Sequence, residues 1–265
     1  MKNISLLALI TFCLFSCKTF IQVIETDSTN TTTENELFTY ENDTLKIIYS
    51  FWGANGIMSF AVYNKLNIPL YIDWKKSSFI SNSKKLTYWV NKTTTDVTSY
   101  YGNYYYTGPL IKPQAFANIG KGVSNSTSVI DERISFIPPQ SYLNKSQFLI
   151  LPGGYFELDI NSKFDEVPSL ISPKLKAKIY YQNFNLKNNP LKFRNFLSFS
   201  ITENFQEEFY VDNAFFIKSV KEMSTKQFKI ASRDEKGNHI FVYPHKKPTS
   251  FYLVVPTNKT IDYKK

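Results

Sequence analysis

Apolar and polar side chains alternate along much of this chain, and that period of two limits the folds it can adopt. Residues 45–51 place an apolar side chain at every second position. In residues 174–179 lysine alternates with leucine, alanine and isoleucine, which predicts lysines on a wet face and Leu175 inside. No segment has the 3.6-residue period of a long amphipathic helix. The pattern is typical of antiparallel strands with one solvated face.

Turn sequences rich in glycine, proline and asparagine separate these segments. The tetrapeptide GANG at 53–56 predicts a hairpin leading into a strand at 57–63. The 23 Phe and 18 Tyr suit strands, where flat side chains pack across a pleated surface. We therefore predict an all-β fold, an antiparallel Ig-like, Greek-key β-sandwich over residues 39–265, with a subdivision near residue 190 as the alternative. Later strands are predicted at residues 133–137, 147–151, 192–201, 208–220, 227–231, 238–243 and 250–255.

One segment breaks the alternation. Residues 91–131 are rich in Thr, Ser, Asn, Gly and Tyr, and we interpret them as a long insertion between two sandwich strands. Tyrosine combines a flat apolar face with a hydroxyl, which suits stacking on sugar rings or a protein contact. Tyr101, Tyr104, Tyr105 and Tyr106 are therefore the candidate binding residues; the competing interpretation is that they cap the open end of the sandwich.

The amino terminus has the layout of an export signal. Lys2 precedes an apolar run over residues 4–15, and the run ends in the tetrapeptide LFSC at Cys17. About a dozen apolar residues are too few to span a bilayer. The tetrapeptide resembles the lipobox of bacterial lipoproteins, which implies cleavage before Cys17 and its acylation. Residues 1–16 are the predicted lipoprotein signal peptide; a plain secretory signal would not need the cysteine, and an uncleaved anchor would need a longer run.

Residues 17–38 are predicted to be the acylated cysteine and a flexible tether, because residues 25–36 are polar and lack aromatic side chains. In bacterial lipoproteins the residue after the cysteine influences sorting. Position 18 is Lys and not the Asp associated with inner-membrane retention, so we predict an outer-membrane protein held by its lipid. Its orientation, periplasmic or surface-facing, stays open.

Two short segments resemble the O-glycosylation motif of Bacteroidetes. They are DST at residues 27–29 and DTL at residues 43–45, which would make Ser28 and Thr44 the modified residues. Three-residue matches also arise by chance, so unmodified side chains are the alternative at both positions.

Cysteine content and charge exclude several classes of protein. Cys13 would leave with the signal and Cys17 would be acylated, so we expect no disulfide and no thiol chemistry in the mature chain. The formal charge is +9, but no basic block exceeds two adjacent residues. Long-range attraction to anionic envelope polymers is one interpretation. The other is a lysine-rich solvated sheet surface, and nucleic acid is not expected as a partner.

Sequence templates for catalysis are absent, including HExxH, GxSxG and the phosphate-binding glycine loop. His239 and His245 are expected in exposed loops, with no catalytic or metal role and no cofactor. A glycosidase needs only two carboxylates across a cleft. Asp73, Glu157 and Asp159 lie in predicted strands at positions that alternation assigns to the wet face, so we interpret them as solvated side chains.

Four segments resemble uncharacterised Bacteroidetes lipoproteins: residues 51–65 (FWGANGIMSFAVYNK), 69–78, 190–200 and 208–211. The resemblance implies a lineage and a membrane address. It implies no activity, and it supplies no functional residue beyond Cys17.

These observations favour an exported lipoprotein that serves as a non-enzymatic binding or structural module of the envelope, anchored in the membrane through its N-terminal lipid. Its partner, an envelope protein or a glycan, is undetermined by sequence. The alternatives are a surface glycan-binding protein that uses the Tyr-rich insertion and, ranked lower, a carboxylate-dependent glycoside hydrolase.

Overall fold

A computed structural model describes residues 19–89, 132–159 and 161–256 and the backbone of residues 111–113. Strands paired into antiparallel sheets make up most of these described residues. This confirms the all-β antiparallel sandwich predicted from the alternation. Within those residues one short helix, α1 (Thr225–Phe228), interrupts the strands.

The described residues form 19 strands. In chain order they are β1 (Phe20–Ser28), β2 (Thr32–Glu34), β3 (Leu37–Glu41), β4 (Leu45–Ser50), β5 (Ile57–Asn64), β6 (Leu70–Asp73), β7 (Ser78–Ser81), β8 (Lys84–Thr87), β9 (Ile111–Pro113), β10 (Ile134–Ile137), β11 (Tyr142–Leu149), β12 (Gly154–Phe156), β13 (Lys163–Pro168), β14 (Lys176–Asn183), β15 (Lys192–Ser200), β16 (Glu208–Ser224), β17 (Ile230–Arg233), β18 (His239–Val242) and β19 (Ser250–Val255).

Two sheets form the sandwich. Sheet A has ten strands, and its main path runs β10-β6-β15-β16-β1-β19. Beside that path β7 joins β15 to β8, and β14 joins β16 to β13. Sheet B has five strands in the order β11-β5-β4-β3-β2, while β9 pairs with β12 and β17 with β18 in two small sheets. Strands before and after residue 190 therefore share sheet A, because β15 pairs with β6, β7 and β16.

The predicted tether is wrong over most of its length. Residues Phe20–Ser28 form β1, which lies between β16 and β19 inside sheet A. Ile21, Val23 and Ile24 on it are buried. The polar composition of residues 25–36 dominated the prediction, whereas the preceding Phe-Ile-Gln-Val-Ile is a strand former that gains backbone hydrogen bonds from neighbours on both sides. β2 and the start of β3 also fall in the segment assigned to the tether.

An aromatic core joins the two sheets. The ring centroid of Phe215 lies 4.9 Å from that of Tyr49, 5.0 Å from Phe51 and 5.4 Å from Phe193, and all four side chains are buried. Trp74, which the alternation predicts in the core, is 4% exposed. Burying rings of this size supplies a large share of the stability of such a domain.

A polar network crosses this core. The Tyr49 hydroxyl donates to Oδ1 of Asn213 over 2.8 Å, and the Tyr88 hydroxyl donates to Oδ1 of Asn195 over 2.7 Å. Asn195 Nδ2 in turn donates to the Tyr49 oxygen over 3.3 Å. Burial raises the pKa of Tyr49 well above its usual range, so the hydroxyl stays protonated. The network ties sheet B to β15 and β16 in one register.

The turn between β4 and β5 links the sheets at another edge. Asn55 N–H donates to the Tyr252 carbonyl over 2.8 Å, and Tyr252 N–H donates to the Gly53 carbonyl over 3.1 Å. Gly56 has φ of +66°, and a Cβ there would lie 2.8 Å from Cγ of Phe251. Both conditions require glycine, and the predicted hairpin is confirmed.

A second, smaller core covers the outer face of sheet A where β1 begins. Its members are apolar side chains from β1, β14, β16 and α1, with aromatic rings packed over them. We call this set the outer cluster; it comprises Ile21, Val23, Ile179, Met223 and Phe228, with Trp52, Val167, Tyr243 and Tyr252 packed against them.

Candidate functional site

Exposed aromatic side chains lie on the outer face of sheet A at the end where β16 begins. We call Tyr71, Phe136, Phe196, Phe205 and Tyr210 the distal patch. Phe136 is 60% exposed and Tyr210 is 55% exposed, and the other three are partly exposed. Exposed aromatic patches of this kind are typical of binding surfaces.

Strand register assembles the patch. Phe136 on β10 is paired with Tyr71 on β6, which is paired with Ser200 on β15, and Ser200 is paired with Glu208 on β16. Leu70 and Ile72 are buried in the core, so Tyr71 between them faces outward. The row therefore places the two rings on one side of the buried Ser200 and the Glu208 carboxylate on the other, with neighbouring strands about 4.8 Å apart.

Two rings of the patch stack on each other. The Phe196 and Tyr210 centroids lie 5.2 Å apart with an interplanar angle of 24°. Phe205, in the turn before β16, has φ of +56°, a conformation that bulky residues rarely adopt. Its ring faces the Lys76 ammonium at 5.7 Å. Stacked rings beside a cation make a surface that is apolar in its centre and charged at its margin.

Polar groups line that margin. Glu208 accepts from Lys76 Nζ over 2.7 Å and from Ser198 Oγ over 2.6 Å. Burial raises the pKa of Glu208, but bonds from Lys76, Ser198 and Tyr210 outweigh it and the net pKa is lowered. Glu208 is therefore an ionised acceptor.

Two carboxylates of β16 beside the patch, Glu208 and Asp212, are not spaced as a glycosidase needs. Glu208 and Asp212 lie four residues apart on one strand, about 13 Å at the usual rise, whereas paired catalytic carboxylates stand about 5–9.5 Å apart. Asp212 is also engaged by Arg194 over 2.7 Å. The geometry suits stacking and hydrogen bonding.

A cleft of about 290 Å³ lies on the same face nearer the start of β1. Glu25 there accepts from Lys221 Nζ and Ser219 Oγ, each over 2.8 Å. Burial raises the pKa of Glu25, but the bonds from Lys221 and Ser219 lower it by more. Among the described residues no three His, Cys, Asp or Glu side chains gather closely enough to hold a metal ion. The cleft therefore contains an ion pair without the ligands of a metal centre.

His245 lines this cleft; it lies in a loop, as the sequence predicted, but it is not exposed. It is half-buried, and its Nε2 has no hydrogen-bond partner among the described residues. Burial lowers the pKa of His245, and the nearby Lys221 charge lowers it further. Both effects favour the neutral form of the imidazole. His239, on β18, is exposed as predicted.

The predicted carboxylates separate into two kinds. Glu157 and Asp159 are exposed, as expected. Asp73 is fully buried, so its assignment to the wet face is wrong. It accepts from Arg133 Nη2 over 2.6 Å and from the Lys75 N–H over 2.9 Å. Its place at the end of β6, where the chain turns back over it, explains the burial.

The predicted acylation site and all four predicted binding tyrosines lie outside the described part of the chain. These are Cys17, Tyr101, Tyr104, Tyr105 and Tyr106; of the insertion, only the backbone of β9 is described. Ser28 ends β1, and its hydroxyl donates to the Ala214 carbonyl over 2.9 Å. Thr44 lies partly exposed in the turn between β3 and β4. O-glycosylation at these two residues stays a prediction.

The sequence reasoning missed the distal patch. One signal was available, because Phe196 occupies a position that alternation in β15 assigns to solvent. The side-by-side placement of Phe136, Tyr71 and Glu208 had no such signal, since it depends on the order of strands in sheet A.

Comparisons with protein-family models, curated proteins and solved structures give no match. The resemblance to Bacteroidetes lipoproteins therefore stays a prediction. Across the described residues, no helix combines the length and apolarity needed to cross a membrane.

Proposed function

We propose that this protein is a lipid-anchored envelope protein that acts as a non-enzymatic binding module, with Cys17 as the acylated residue. Its anchor would lie in the outer membrane, and its binding surface would be the distal patch.

The observation that carries the proposal is the position of the patch along β16. Phe20, three residues after Cys17, is paired with Ser224 at the end of β16. Tyr210 lies near the start of the same strand, 14 residues earlier. At the usual rise this separation is up to about 45 Å. An anchor at one end of a rigid strand and exposed rings at the other are the arrangement expected of a protein that presents a surface away from its membrane.

Anchoring is tested by Cys17→Ser in cells labelled with a clickable fatty acid. The expected result is loss of the label and release of the protein, or accumulation of its precursor, because the variant lacks the acylated sulfur. Unchanged labelling and membrane retention would contradict the proposal.

The binding surface is tested by placing a photo-crosslinking amino acid at Phe136 in intact cells. Phe164, 45% exposed on β13, is the matched control at the other end of sheet A. We expect a discrete cross-linked species from position 136 and none from position 164. Equal cross-linking from both positions would remove the distal patch as the binding surface.

Glycan capture is the second candidate, favoured by the Phe196–Tyr210 stack beside the ionised Glu208. Aromatic faces with an adjacent hydrogen-bond acceptor suit sugar rings. Affinity electrophoresis through a panel of soluble polysaccharides tests it, with Tyr210→Ala as the variant and Phe241→Ala, 53% exposed on β18, as the control. Retardation that Tyr210→Ala abolishes and Phe241→Ala preserves supports a glycan; mobility unaffected by every polysaccharide leaves a protein partner as the better interpretation.

A further inference from the structure

The hairpin of β13 and β14 projects at the end of sheet A where the chain enters from Cys17. Tyr180 on β14 is paired with Glu222 on β16, whereas Phe20 on β1 is paired with Ser224. Lys176, the first residue of β14, therefore lies about two residues beyond the level of Phe20. The connecting turn, residues 169–175, lies further out still, on the side where the proposed anchor would be.

Hydrogen bonds attach this turn to the start of the described chain. The Thr19 carbonyl accepts from the backbone N–H and the hydroxyl of Thr225, over 3.2 and 3.0 Å. Gln227, in the same helix, accepts from the Leu170 N–H over 3.2 Å and donates to the Pro168 carbonyl over 3.3 Å. Helix α1 thus holds the turn beside the point where the chain arrives.

The turn exposes two aliphatic side chains. Ile171 is 64% exposed and Leu175 is 61% exposed. These are the two largest exposed fractions among the large apolar side chains of the described residues. The turn is closed by bonds from Ser169 N–H to the Leu175 carbonyl, 2.8 Å, and from Leu175 N–H to the Ser172 carbonyl, 2.9 Å. Alternation predicted Leu175 inside, but it precedes β14 and has no core to face.

Lysines lie on this turn and on the two elements next to it. Lys174, Lys176, Lys178 and Lys226 are exposed on the turn, on β14 and on α1. Glu166 faces them and lies 3.0 Å from Lys176 Nζ, whereas Asp165 on β13 lines the cleft that contains Glu25 and Lys221. Lysines outnumber the carboxylates here, and exposed aliphatic side chains on a turn that also carries exposed lysines match an anionic lipid surface.

The chain between Cys17 and the fold is too short to separate them. Cys17 and Phe20 are three residues apart, so their Cα atoms are at most about 11 Å apart. We propose that the turn of residues 169–175 inserts Ile171 and Leu175 into the interface of the same bilayer that holds the lipid on Cys17. This inference rests on the proposed anchor. A second contact point would fix the tilt of sheet A and direct the distal patch away from the membrane.

The test places a polarity-sensitive fluorophore on Ile171→Cys in the full acylated protein, reconstituted in phosphatidylethanolamine–phosphatidylglycerol vesicles. Leu186→Cys is the matched control, 46% exposed in the loop at the other end of β14. Acylation of Cys17 would leave no competing thiol in the mature chain. We expect blue-shifted emission and several-fold stronger quenching by brominated lipids at position 171 than at position 186.

Intact mass of the same sample separates failure of this inference from failure of the anchor. Equal quenching at both positions in acylated protein would overturn insertion and leave the anchor standing. A blue shift at position 171 without lipid quenching would mean that a protein or a second copy covers the turn, which also overturns insertion. A Cys17 without acyl chains would overturn both. A further variant combines Leu175→Asp with the fluorophore at position 171 in acylated protein. If its quenching by brominated lipids falls to the level at position 186, the result supports insertion.

Discussion

The outer face of sheet A differs at its two ends, although one strand, β16, runs through both. Near the start of β1 this face is covered: Met223 and Phe228 are buried under Trp52 and neighbouring rings. At the start of β16 it is open, and Tyr210 is 55% exposed. Strand β16 therefore contributes to a second core at one end and to a surface at the other, and the register shift opposite Glu25 and Thr26 moves its outward positions from even to odd residue numbers in between.

The difference shows that alternation assigns a side chain to one face of a sheet but does not tell whether that face is buried. Phe228 of α1, Trp52 of the β4–β5 turn and Tyr243 after β18 add a layer over one end, and the described residues add none over the other. An aromatic side chain on the outer face is structural where that layer is present. Where it is absent, the same residue type is available for binding.

Phe215→Ala gives the largest expected effect, because it removes a ring that contacts both sheets midway between the two ends. We expect a loss of about 3–5 kcal/mol in the free energy of unfolding. Urea titrations followed by fluorophores at Phe136→Cys and Ile171→Cys should report one shared, lowered midpoint. Separate midpoints would show that the two ends unfold independently.

Met223→Ala and Tyr210→Ala test the covered and the open end directly. Met223 is fully buried in the outer cluster, so its truncation should cost about 2–5 kcal/mol. Tyr210 is exposed, and its truncation should cost about 1 kcal/mol or less. Chemical denaturation of both variants measures the contrast. Comparable losses would mean that the distal patch is packed.

Asp73→Ala perturbs the open end by removing a buried carboxylate that accepts hydrogen bonds from Lys75, Lys76 and Arg133. The Lys75 and Lys76 N–H groups would lose their acceptor, and we expect a cost of about 1–3 kcal/mol at neutral pH. Burial raises the pKa of Asp73, but Arg133 and these N–H groups lower it by more. The folded pKa of Asp73 lies below the unfolded value of about 3.9. The ionised aspartate therefore stabilises the fold above about pH 3.9, and this stabilisation is lost as the pH falls through the folded pKa. The gap between variant and native protein should close in acid; a pH-independent gap would contradict this.

His245→Gln gives the smallest expected effect and concerns the covered end. The folded pKa of His245 lies below the unfolded value of about 6.5. The unfolded chain therefore binds more protons between the two values, and stability should fall as pH decreases below about 6.5. Thermal melts from pH 7.5 to 5 should show a shallower decline for His245→Gln, with exposed His239→Gln as the control. An unchanged slope would mean that solvent reaches the imidazole.

Prediction from sequence succeeded where the pattern is local. The period of two identified β4, β5, β15 and β16, and the GANG turn identified the hairpin between β4 and β5. It failed at Phe20–Ser28, where composition of the following residues outweighed a five-residue strand former. It also failed at Leu175 and Asp73, which lie one residue outside or at the end of a strand, where alternation no longer reports burial.

The sequence by itself determined the all-β class, most strand positions and the core-facing side chains of its regular strands, because alternation depends on neighbours two residues away. Only the tertiary structure decided which strands meet. It placed β1 inside sheet A within three residues of Cys17, gathered the distal patch from β6, β10, β15 and β16, and left Ile171 and Leu175 outside the core. These features depend on contacts between residues distant in the chain, where pairing order and the burial of whole layers outweigh local preference.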